Sequence, residues 1–184
     1  MRTDCDVGFG DANCRLWRRV RTFIKCINST AGLRNDIRAG TLVPLLVLKR
    51  CREGQTTAEL AAAFMDEFQA LTSRLLKALI KSPLPVSELG LSAFPTDTSA
   101  YITPPPTLFG IAIHRPIISV LAYEPLTHPS RIKEVAYLHT SSSSYEMWNV
   151  FGIAITAVHC RNNLLRIKNA LQAEGRYVTP QIED

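Results

Sequence analysis

The chain has 184 residues, 46% of them hydrophobic and 20% charged, with a net charge of +5. That balance excludes disordered and fibrous classes and suits one globular domain. The longest apolar runs, 42–48 (broken by Pro44) and 150–158, fall short of the roughly 18 residues that cross a bilayer.

At the start of the chain, Asp4, Asp6 and Asp11 stand where a secretory signal needs an apolar core. The expectation is an intracellular, reducing location, with all five cysteines as free thiols and the sequon at Asn28 unglycosylated. The positive charge is concentrated in the next segment. Arg15, Arg18, Arg19, Arg21, Lys25, Arg34, Arg38, Lys49, Arg50 and Arg52 are offset there by Asp36 alone. Such asymmetry points to an anionic partner, either nucleic acid or acidic lipid headgroups.

Residues 11–28 read as an amphipathic helix capped by Asp11 or Asn13. Leu16, Val20, Phe23, Ile24 and Ile27 fall on one arc with Trp17 at its edge, and Arg15, Arg18, Arg19, Arg21 and Lys25 on the other. The basic face, with Trp17, suits a grip on phosphates. The apolar arc must dock on the domain or enter a headgroup layer. Residues 41–50 read as a short strand, which Pro44 confines to an edge or a strand start.

Thr56 and Glu59 form a capping box. Leu60, Phe64, Phe68, Leu71, Leu75 and Leu79 follow at helical spacing, giving a helix over 57–81 that ends before Pro83 and has a potential break near 70–72. Residues 82–106 hold six of the eleven prolines and read as a covering loop rather than a recognition motif. Strands are expected over 108–114, 117–123, 131–139 and 148–159, the last apolar on both faces and therefore central. A helix over 162–174 ends at Gly175, before a loose tail at 177–184. The serines at 141–144 read as a flexible tip.

Catalytic and metal signatures do not emerge. Cys5, Cys14, Cys26, Cys51 and Cys160 form no C-x-x-C pair, and there is neither a phosphate-binding glycine motif nor a nucleophile elbow. His114, His128, His139 and His159 read as structural or exposed. No cofactor, metal or small-molecule substrate is called for. One alternative is a DNA-binding regulator in which segment 56–81 forms a helix-turn-helix presenting Arg74, Lys77 and Lys81, although 65–71 lacks the breaker such a turn uses.

From residue 41 onward the order of elements resembles that of rhabdovirus matrix proteins: a basic N-terminal segment, a strand (42–49), a polar turn at Glu53-Gly54-Gln55, helix-rich stretches (57–68 and 71–80) and antiparallel strands. The resemblance is one of pattern over residues 15–160. The Pro-Pro-x-Tyr motif of many members is replaced by Pro104-Pro105-Pro106-Thr107 in mid-chain. It implies a virion structural protein that self-associates, contacts ribonucleoprotein and adheres peripherally to anionic membrane.

The expectation is therefore an α+β fold: a helical N-terminal part, a small antiparallel sheet and a C-terminal helix. Residues 1–40 form a basic arm and helix, and 41–176 a single core domain. The function is non-enzymatic, with an anionic lipid surface or RNA-nucleoprotein as partner and a homo-oligomer as the assembled form. The binding residues are Trp17 and the ten basic side chains between 15 and 52.

Overall fold

The computed structural model describes residues 10–81, 94–114, 116–127, 131–140 and 146–180, with side chains of the first helix from Cys14 onward. Helices α1 (Gly10–Thr30) and α2 (Arg34–Arg38) precede strand β1 (Leu46–Arg50) and helix α3 (Thr57–Leu79). A 3₁₀ turn at Thr98–Ala100 leads to β2 (Leu108–His114), β3 (Ile117–Tyr123) and β4 (Ile132–His139), and α4 (Glu146–Ala173) closes the chain. This is an α+β arrangement.

The strands form one sheet in the order β1-β2-β3-β4. β2, β3 and β4 are antiparallel, as expected, but β1 runs parallel to β2, pairing Val47 with Gly110 and Arg50 with Ile113. The sheet is therefore mixed. A parallel neighbour requires a crossover, and α3 supplies it. β1 is an edge strand that begins just after Pro44, which cannot donate to a ladder.

Alternation along β2 sends side chains to two layers. On one side Leu108, Gly110 and Ala112 meet α3, whose Leu60, Phe64, Phe68, Leu71, Leu75 and Leu79 are buried. On the other, Ile111 and Ile113 join Ile118 of β3, Val20 of α1 and Ile153 of α4. The C-terminal half of α4 continues past the sheet, burying Leu164, Ile167 and Leu171 in the α3 core.

The capping box at the start of α3 is formed in both directions: Glu59 N donates to Thr56 Oγ1 at 3.2 Å, and Thr56 N donates to Glu59 Oε2 at 2.8 Å. The helix then runs without interruption to Leu79. Neither a break near 70–72 nor the turn of a helix-turn-helix is present, because the segment between is helix-forming and keeps its buried stripe throughout.

The expected strand over 148–159 is instead the first half of α4. Its uncharged, β-branched residues resemble a covered strand, but they run without a stop into the amphipathic segment 162–173, so one long helix satisfies every backbone group. Asn149 Nδ2 ties its first turn to His139 O at 2.9 Å. Gly175 closes it at φ +65°, with Arg176 N donating to Leu171 O.

The tail is held at its root rather than loose. Arg176 Nη1 donates to Ile80 O at 2.7 Å, and Tyr177 Oη to Asp36 Oδ1 at 2.6 Å. Within the proline-rich segment, 94–106 covers the end of α3: Phe94 and Tyr101 are buried, Ile102 N donates to Leu79 O, and Tyr101 Oη to Pro95 O. Residues 82–93, the serines at 141–144 and the last four residues lie outside the described residues. Cys14 is disulfide-bonded, correcting the expectation of five free thiols; Cys26, Cys51 and Cys160 are free. Among the described residues no helix is long and apolar enough to cross a membrane.

Candidate polyanion-binding cleft

The apolar arc of α1 docks on the sheet. Val20 is buried, and Leu16, Trp17 and Ile24 pack against the same cluster. Phe23, expected on that arc, remains partly outside, at 39% exposure. Docking fixes the rotation of the helix and so aims its basic side chains. Arg18, Arg21 and Lys25, spaced three and four apart on one face, form a wall of a cleft of about 620 Å³.

The end of β1 supplies the opposing side. Lys49, Arg50, Arg52 and Gln55 line it, and Leu60 and Ala63 of α3 close it. Adjacent strand residues point to opposite faces, and that alternation splits the pair of cations. Lys49 turns toward α3, with Nζ 5.9 Å from the Phe64 ring centroid and 2.9 Å from Glu67 Oε2. Arg50 turns toward α1, with Cζ 6.0 Å from the Trp17 ring.

Trp17 lies among the cations in the cleft lining. Arg21 Cζ lies 4.8 Å from its ring centroid, so the indole carries guanidinium groups from both α1 and β1. Cation–π attraction holds their direction.

The cleft keeps its positive field. Among the described residues, Arg18, Arg21, Lys25 and Arg52 make no ion pair with a carboxylate; Lys49 does, through Glu67. Cys51, between β1 and α3, donates its thiol to Gln55 O at 3.2 Å. Burial, reinforced by the nearby Glu59 carboxylate, pushes that thiol above its ordinary value, which disfavours the thiolate a nucleophile needs. Among the described residues no group of three metal-ligating side chains converges.

Of the expected binding residues, Trp17, Arg18, Arg21, Lys25, Lys49, Arg50 and Arg52 are brought together. Arg15 and Arg19 do not line the cleft, being turned away by roughly 90–130° around α1. Arg34 and Arg38 are exposed on α2, outside it. Sequence reasoning missed Thr22, Gln55, Leu60 and Ala63. Thr22 had a signal, lying one turn beyond Arg18 on the same face; the two α3 residues enter only through tertiary packing. Compared with protein-family models, curated proteins and solved structures, the chain matches none.

Proposed function

We propose that this chain is a non-enzymatic, matrix-like structural protein that holds the phosphate backbone of RNA in the cleft between α1 and β1 and self-associates during assembly. The observation that carries the reading is the opposition of Arg18, Arg21 and Lys25 to Lys49, Arg50 and Arg52 across one recess. A concave site with cations on two sides suits a strand that enters it, since a threaded backbone meets both walls at once. A flat headgroup layer meets mainly the rim. The unbroken run of α3 over Thr57–Leu79 supports this reading over the DNA-reading alternative, which calls for a turn there.

The test is binding of a fluorescent single-stranded RNA to the full chain and to two triple variants of equal charge change. Arg18→Glu, Arg21→Glu and Lys25→Glu together are expected to weaken binding more than tenfold. Arg19→Glu, Arg34→Glu and Arg38→Glu together are expected to stay within about threefold of the wild type. The four cations that make no ion pair among the described residues, Arg18, Arg21, Lys25 and Arg52, would displace counterions, so log K against log salt should fall with a slope of about −2.8. Equal losses in the two variants would mean a diffuse charge effect and sink the cleft. Binding to phosphatidylserine vesicles without binding to RNA would assign the cations to a membrane instead.

A further inference from the structure

Residues 147–158 carry no charged side chain, and the polar ones there, Asn149 and Thr156, are buried on the inner side and hydrogen-bonded, to His139 O and Gly152 O. One side is accounted for. Ile153 packs with Ile111, Ile113 and Ile118, and Gly152 lies so close to Leu138 of β4 that a β-carbon would meet its Cδ1 at 3.4 Å. The other side presents Met147, Trp148, Val150, Phe151 and Ile155, all 50–69% exposed. The Trp148 and Phe151 ring centroids are 6.3 Å apart. A helix whose outward side is apolar belongs in a buried setting, and monomer surfaces seldom expose a patch of this extent.

We infer that a second copy of this chain covers this face, through a two-fold contact in which α4 crosses its counterpart near Phe151. The inference rests on the self-associating part of the proposed function and needs nothing from its polyanion.

Charge decides against an anionic surface as the occupant, because the patch holds no cation while the cleft's cations cluster beside β1. β4 lies at the other end of the sheet from β1 and next to the patch, so the contact leaves the cleft open. Together the five side chains offer on the order of 600 Å², the lower end of what each partner of a standard interface buries. A two-fold axis suits the sequence, since an antiparallel crossing sets Trp148 of one copy against Ile155 of the other.

The test is sedimentation velocity on the full chain from 1 to 100 μM (on the order of typical interface affinities), with Trp148→Glu plus Phe151→Glu as the variant. Both side chains are exposed, so the thermal transition of the variant is expected to be unchanged. The wild type should pass from monomer to dimer with concentration, and the variant should remain monomeric, its association weakened at least tenfold. A wild type that is monomeric at the highest concentration, or a variant that dimerises equally well, would overturn the inference. So would Trp148-dependent flotation of the monomer with phosphatidylcholine vesicles, which would give the patch to a bilayer. The α1 cleft variant is expected to dimerise normally, so failure of RNA binding and failure of dimerisation are read separately.

Discussion

Gly110 of β2 and Phe64 of α3 are fitted to one another: a β-carbon on the glycine would stand 2.8 Å from Phe64 Cε1 and 3.0 Å from Phe68 Cζ. Both rings are fully buried and lie 5.8 Å apart, with Phe68 stacked on Tyr123. Neither ring can swing aside without displacing the next. Gly110→Ala is therefore expected to destabilise the fold by about 1–3 kcal/mol through overpacking, despite the β-carbon's added apolar surface. Urea unfolding measures it, and an unchanged midpoint would show that α3 can shift away from the sheet.

Asp36 joins the N-terminal part to the end of the chain. Its carboxylate accepts from Lys168 Nζ at 2.8 Å and from Tyr177 Oη at 2.6 Å, and it is nearly inaccessible to water. Asp36→Ala would leave the Lys168 ammonium, itself only partly exposed, without its partner. The expected cost is about 3 kcal/mol. Tyr177→Phe removes one hydrogen bond and should cost about 1 kcal/mol. The pair of variants, compared by urea unfolding, distinguishes an anchoring network from a surface ion pair, for which both losses would be near zero.

The local devices of this fold were legible because they act over three or four residues. Thr56 with Glu59, the stripe from Leu60 to Leu79, and Gly175 after the last helix each state a backbone requirement in neighbouring positions. The first half of α4 was not legible in that way. Between Val150 and Val158 apolar residues occupy every face, so periodicity has no contrast to report, and β-branching favoured a strand. The parallel pairing of β1 with β2 was hidden for another reason, since it depends on a partner far along the chain. The cleft shares both histories. The cationic segment was visible in composition, but the meeting of Arg50 with Trp17, and the turning away of Arg19, follow from how α1 docks on the sheet.

Cys160 makes stability sensitive to alkali. Its thiol is buried under α4, donates weakly to Leu45 O at 3.7 Å, and is pushed by burial from 9.0 up to about 12. The folded state thus keeps a proton that the unfolded chain loses earlier, and stability must fall as pH rises from 9 toward 12. The thiol's share is on the order of 4 kcal/mol by the upper end of that window. Lys168, raised chiefly by its hydrogen bond to Asp36, and Tyr177, raised chiefly by burial, act with the same sign. Cys160→Ala should lower stability at neutral pH by leaving a small cavity, yet flatten the profile above pH 9. Parallel profiles for the two proteins would show that the thiol ionises without unfolding.

Among the described residues, Glu67 is a carboxylate paired with a cation of the cleft. It holds Lys49 Nζ at 2.9 Å while remaining nearly half exposed itself, so the pair contributes little to stability, about 0–1 kcal/mol. Its larger effect is on binding, because an arriving phosphate must compete with it for the ammonium. Glu67→Gln keeps the shape and an oxygen acceptor but removes the charge. RNA affinity at low salt is expected to rise about three- to tenfold, and the salt slope to steepen by about 0.7, one additional counterion for a single strand. Fluorescence anisotropy across a salt series reads both quantities from the same titrations. A rise in affinity with no change in slope would mean that Lys49 does not reach the phosphates and that Glu67 acts only by long-range repulsion, confining the grip to α1 and the two arginines beyond it.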